Sequence, residues 1–248
     1  MVTLSDLLEG PLIFALELAV LYVGGCYAME RMAGLLGLRS GAGLGRMAFY
    51  FLVLPGVALH EGAHYLACLL TGTKVYRFVP FSPQRTKSGR LVLGYVRHEG
   101  RPVLIKAIIG LAPILLNPLG VVLVTALLTP LTFAEVVDPR FEVIEEDILA
   151  SGFLTASPLT AAVWAYLSLS FALGSVPSRE DLSSVPAALL FFGGVVFLVG
   201  FLREGSGIGI ATALYDLSTI AARIYLLPAV VAAIAAVVIG LWGRTTRY

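Results

Sequence analysis

Three residues in one short stretch carry the most specific chemistry in this sequence: His60, Glu61 and His64, within His60-Glu61-Gly62-Ala63-His64. On a helix, residues four apart lie about one turn apart, so both imidazoles face the same way and can share a divalent cation. Zinc suits such a pair, because it keeps a coordination position open and lowers the pKa of water toward ~7. Glu61, next to the first histidine, is placed to take a proton from that water and pass it to a leaving amine. These are the parts needed to hydrolyse an amide. The chain holds 3 His and 11 Glu in 248 residues, so chance produces the H-E-x-x-H pattern in roughly one shuffled sequence of several hundred. The plainer alternative is a polar cluster satisfied inside a helix bundle, with the three residues paired to one another or to arginines of a neighbouring basic segment. Ionisable residues at membrane depth are costly, and that favours the metal site.

The elements that must hold these residues are apolar. Hydrophobic types make up 58% of the chain and charged types 13%, with a mean hydropathy of +0.90, far from the balance of an ordinary soluble domain. The apolar residues form runs long enough to cross a bilayer, which takes roughly 20 residues each. The expectation is an all-α polytopic membrane protein with about six spans: Leu12 to Met29, Met47 to Leu70, Val103 to Leu128, Pro158 to Val176, Pro186 to Leu202 and Leu226 to Trp242. Leu12 to Met29 reads as a retained span, with no Lys or Arg before it and no clear cleavage site after it. The segment from Arg203 to Arg223 reads as a candidate interfacial helix. A net charge of +1, with no basic face on a soluble module, gives no case for nucleic-acid binding. Cys26 and Cys68 sit in or beside apolar runs and read as buried small residues, not as a disulfide framework.

Between the second and third runs, residues 71–101 turn basic, with Lys74, Arg77, Arg85, Lys87, Arg90, Arg97 and Arg101. Within them, Val75 to Val79 and Leu91 to Val96 are rich in β-branched and aromatic residues around Ser88-Gly89, which predicts a β-hairpin. An acidic connection follows the third run from Thr129 to Ser157. Short basic loops stay cytoplasmic, so the hairpin and the His64 end of the second span are expected on the cytoplasmic side. Three regions result: 1–46, the first span and a Gly-rich connection; 47–190, a metal-bearing core; and 191–248, the C-terminal spans and tail.

The order of these features resembles the site-2 protease family of intramembrane zinc metalloproteases. The resemblance covers roughly residues 45 to 190 and rests on three features. They are Ala58-Leu59-His60-Glu61-Gly62-Ala63-His64-Tyr65-Leu66-Ala67, the hairpin after it, and Gly110-Leu111-Ala112-Pro113-Ile114-Leu115-Leu116-Asn117-Pro118. It implies a zinc-dependent endopeptidase that cuts membrane-anchored proteins in or near their spanning segment. By that resemblance the third ligand is an Asp in a Pro-rich context on a later helix, here Pro177-Ser178-Arg179-Glu180-Asp181. In this chain Ala112-Pro113 stands where the family has Gly-Pro, and Asn117 lies one residue further on than usual.

Asp181, Glu180, His98, Glu204 and Asp216 are the candidates for the third ligand. Asp181 and Glu180 fall at the same predicted membrane side as His64, and Asp181 holds the family's Pro-then-Asp position. The alternative for both acids is that they cap the following helix. His98 lies on a polar loop, and Glu204 and Asp216 fall on the opposite side. Cys68, four residues past His64, is a conceivable soft ligand, though burial as a packing residue fits it better. By resemblance Asn117 hydrogen-bonds substrate backbone or an oxyanion; an ordinary interhelical hydrogen bond is the equal alternative. Glu17, alone in the first span, is expected to have an Arg or backbone partner. Gly62, Ala63 and Ala67 are small enough for close helix approach. The hairpin edge offers a means of extending a substrate as an added strand, or else only a basic contact with headgroups. Two further functional classes stay open: an inactive metalloprotease-like scaffold, and a metal or ion transporter, for which no inverted repeat is evident.

Overall fold

The computed structural model describes residues 4–35, 43–86, 91–129, 157–183 and 207–245, with isolated positions between 186 and 202. In chain order these form α1 (Leu4–Leu35), α2 (Gly43–Leu70), β1 (Val75–Val79), β2 (Gln84–Arg85), β3 (Leu91–Val92), β4 (Tyr95–His98), α3 (Val103–Leu128), α4 (Pro158–Gly174), the one-turn α5 (Arg179–Leu182) and α6 (Gly207–Thr245). Among the described residues, four stretches are long and apolar enough to cross a membrane: Leu12–Leu35, Gly43–Leu70, Val103–Leu128 and Tyr215–Trp242. α4 is apolar but shorter, at 17 residues. The outward surface explains what surrounds them. Leu115, Leu119, Leu123 and Leu127, each four residues on from the last, line one exposed face of α3. A stripe of that kind faces lipid at no cost and faces water at a large one.

The fifth expected run and the acidic connection fall largely outside the described residues. The expected break between an interfacial helix and the last span is absent, since α6 runs unbroken from Gly207 to Thr245 with its proline at Pro228. Residues 207–227 hold no proline to interrupt it, and the small and polar residues there do not stop a helix.

α2 and α4 run in the same direction and in step. Tyr166 of α4 donates to the Phe51 carbonyl of α2 at 2.7 Å, and the Gly56 amide donates to Ser170 Oγ at 2.8 Å. α3 runs the opposite way and packs against both. Its Thr125 accepts from Trp164 Nε1 near the start of α4, and its Asn117 reaches Gly174 at the end. The C-termini of α2 and α4 and the N-terminus of α3 therefore lie at one end of the bundle. α1 and α6 pack against this group through two apolar clusters, one around Ala28, Met32, Phe49 and Val53, the other around Leu21, Ala172 and Tyr225.

Prolines inside the helices are compensated from outside. Pro55 has no N–H to offer the Phe51 carbonyl, and Tyr166 supplies the missing donor. Pro118 does the same to Ile114, whose carbonyl accepts from the Tyr225 hydroxyl.

α2 stops at Gly72, whose φ of 63° suits a residue without Cβ, and the chain turns into a β-ribbon. β1 pairs antiparallel with β4, and β2 with β3. The run expected as one strand from Leu91 to Val96 is split at Leu93-Gly94. Ser88 and Gly89 lie outside the described residues. One ribbon face covers the bundle end, where Phe78 stacks on Tyr65 of α2 at 4.7 Å between ring centres. Val96 packs on the cluster of Ala63, Ala67, Cys68, Ile109 and Ala112.

Candidate metal centre

His60 and His64 sit one turn apart on α2 with ring centres 4.9 Å apart. Their Nδ1 atoms contact main-chain carbonyl oxygens: His60 meets Gly174 at 2.7 Å and His64 meets Ile109 at 2.8 Å. A carbonyl oxygen only accepts, so in each ring Nδ1 carries a hydrogen, and in the neutral ring the lone pair is on Nε2. Gly174 is available because it lies in the last turn of α4, where carbonyls lack intrahelical partners.

Both Nε2 atoms face one carboxylate. His64 Nε2 lies 3.3 Å from Asp181 Oδ1, and His60 Nε2 lies 3.6 Å from Asp181 Oδ2. Asp181 is held by a reciprocal cap. The Ser178 amide donates to Asp181 Oδ2 at 2.7 Å, and the Asp181 amide donates to Ser178 Oγ at 3.2 Å. This is the Ser-x-x-acid capping box at the start of α5. Helix capping and facing the histidines, set against each other as alternatives for this acid, are here done together. Burial raises the Asp181 carboxyl, but hydrogen bonds from His60 and His64, the positive charge of a protonated His64 and the Ser178 side chain outweigh it and hold the group below the usual carboxylate range.

Among the described residues, His60, His64 and Asp181 form the group whose ligand atoms all lie within 4.8 Å of one another. The donor set fits a metal. With both rings neutral, two imine nitrogens and a carboxylate are all acceptors, and such a set needs a cation, a ring proton or a metal ion, between them. Tetrahedral zinc with ligands at ~2.0–2.1 Å sets neighbouring ligand atoms about 3.3–3.4 Å apart, close to the separations seen here. Asp181 is 8% exposed, so its charge needs a close partner other than bulk water.

Glu61 is half-buried beside this group. The ribbon crosses it at Gly94, where a Cβ would stand 2.7 Å from Glu61 Cγ. Asn117 is fully buried, and its Nδ2 donates to the Gly174 carbonyl at 3.1 Å and to the Pro113 carbonyl at 3.3 Å. The interhelical bond is therefore the one observed, and it falls on the same oxygen that orients His60.

The other candidates lie elsewhere. Glu180 is exposed. His98 Nδ1 donates to the Glu99 carbonyl at 2.8 Å. Asp216 lies on α6, apart from the group, and Glu204 falls outside the described residues. Cys68 is buried among Ala63, Ala67 and Ile109. Glu17 is buried without a hydrogen-bond partner among the described residues, contrary to the expected Arg or backbone contact. Sequence reasoning missed the Gly174 and Ile109 carbonyls. They carry no side-chain signature, although the end of an apolar run marks the first.

Comparison of the chain with protein-family models, curated protein sequences and solved structures returns no match.

Proposed function

We propose that this protein is a zinc-dependent intramembrane endopeptidase. The observation that carries the reading is the meeting of the two Nε2 atoms and the Asp181 carboxylate at 3.3 and 3.6 Å, with Glu61 directly beside them. His60, His64 and Asp181 hold the metal. Zinc in that position supplies Lewis acidity, which acidifies water and polarises a peptide carbonyl. Glu61 accepts the proton of the attacking water as the C–O bond forms. It then delivers that proton to the amine nitrogen as the C–N bond breaks.

The substrate is a membrane-anchored protein cut in or near its spanning segment. A helical segment must be unwound before its peptide bonds can react, and an added strand on the ribbon keeps it extended. The approach of Gly94, just before β4, to Glu61 supports that role. The basic residues of the ribbon lie at the same bundle end as the site, which favours a site open to the cytoplasm.

Elemental analysis of detergent-purified protein tests the reading. About one zinc per chain is expected in the wild type, with little in His64→Ala and Asp181→Ala. Glu61→Gln is expected to keep its zinc while losing cleavage of model single-span substrates in proteoliposomes by ~10²–10⁴. A wild type that retains no zinc after reconstitution overturns the proposal.

A further inference from the structure

We infer that Pro113 is a positioning residue for His64, acting by withholding a backbone N–H. The inference rests on the metal-site reading above. In α3 an ordinary residue at 113 would donate its amide hydrogen to the carbonyl of Ile109, four residues earlier. Proline has no hydrogen to donate, and its ring also pushes that carbonyl away from the helix axis. The Ile109 oxygen is thereby left facing outward from α3, and it is the atom that His64 Nδ1 meets at 2.8 Å.

The same device appears at two other helical prolines, Pro55 and Pro118, whose freed carbonyls each receive a tyrosine hydroxyl from a neighbouring helix. Those donors serve packing. At Pro113 the donor is the second nitrogen of a metal ligand, so the missing N–H selects the Nδ1–H tautomer and fixes the ring with Nε2 toward Asp181. His60 obtains the same orientation without a proline, because Gly174 lies at a helix end where the carbonyl is already free. His64 takes its acceptor from the middle of a helix, where the interrupted ladder leaves the Ile109 carbonyl without an intrahelical donor.

The test compares three full-length proteins in detergent: wild type, Pro113→Ala, and a variant with lactic acid at 113 introduced by nonsense suppression. The lactic acid variant lacks the proline ring but also lacks an N–H. Zinc affinity is read by chelator competition, and the zinc-free His64 ring by its 15N signals. Pro113→Ala is expected to bind zinc ~10–100-fold more weakly and to lose its dominant Nδ1–H tautomer. The lactic acid variant is expected to stay within a few-fold of wild type on both readouts.

Wild-type affinity in Pro113→Ala overturns the inference, as does equal weakening in both variants, which would assign the effect to the ring's shape. Should Pro113→Ala fail to fold, the lactic acid variant decides alone: retained affinity supports the inference and lost affinity overturns it. A wild type that binds no zinc overturns the metal reading instead, and the 15N tautomer of His64 across the same variants then judges the geometry.

Discussion

The main chains of Gly56 and Gly174 touch. A Cβ built on Gly174 would lie 2.5 Å from the Gly56 carbonyl oxygen, and one on Gly56 would lie 1.8 Å from the Ser170 carbonyl oxygen. This contact between α2 and α4 brings the Gly174 carbonyl within reach of His60, one turn further along α2. The obstacle to any side chain is backbone, which cannot rotate aside. Gly56→Ala and Gly174→Ala should each destabilise the protein by about 1–3 kcal/mol through overpacking, and each should reduce bound zinc because His60 loses its acceptor. Thermal unfolding in detergent beside zinc content checks this. Unchanged values for Gly56→Ala would mean the helices do not meet there.

Gly94 acts on the other side of the site. Its missing side chain lets the ribbon lie against Glu61, and an added Cβ would also stand 2.8 Å from the Pro80 carbonyl oxygen and 2.9 Å from that of Val79. Gly94→Ala should keep its zinc, since it touches no ligand. Cleavage should fall by ~10², the scale of a displacement of about 1 Å in a catalytic group. Loss of zinc in this variant would place the ribbon's role at the ligands and not at Glu61.

Acid should empty the site through the histidines. Metal binding needs both Nε2 lone pairs, and protons compete for them. The Asp181 carboxyl is held below its usual range. A carboxyl with a lowered pKa stays ionised on acidification and gives up its charge only below ~4. Zinc affinity measured by chelator competition should therefore fall on acidification before the Asp181 carboxylate is neutralised, with a slope approaching two protons per zinc. A decline confined to pH below ~4 would contradict this order of titration.

The tyrosine hydroxyls that answer the prolines can be tested as a cycle. Tyr225→Phe leaves the Ile114 carbonyl without the donor it receives now, at a cost of about 1–3 kcal/mol for a buried unsatisfied group. In a Pro118→Ala background the helix supplies its own N–H, so the same change should cost much less. A double-mutant cycle on unfolding free energies gives the coupling. Additive effects would show that the hydroxyl does not compensate the proline.

Much of the site was legible because its spacing is local. His60 and His64 share a face by helical periodicity alone, and Val103–Leu128 is both the predicted third run and the observed α3. Strand composition marked Val75–Val79 correctly, while Gly94 broke the second strand where the chain had to pass Glu61. Asn117 and Cys68 illustrate the limit. Each has a side chain able to serve a metalloenzyme, and composition could not say that one bonds Gly174 while the other sits among alanines.

The sequence by itself determined the apolar helices, the paired histidines and the glutamate between them, since those depend on residue type and on distance along a single helix. Only the tertiary structure decided which acid joins them. Glu180 and Asp181 are neighbours of the same charge, and the capping bond from Ser178 turns Asp181 inward while Glu180 stays exposed. It also decided which main-chain oxygens orient the rings. A carbonyl is present at every residue, and which ones orient the rings depends on where a helix ends, as at Gly174, and where a proline withholds the intrahelical donor, as at Ile109.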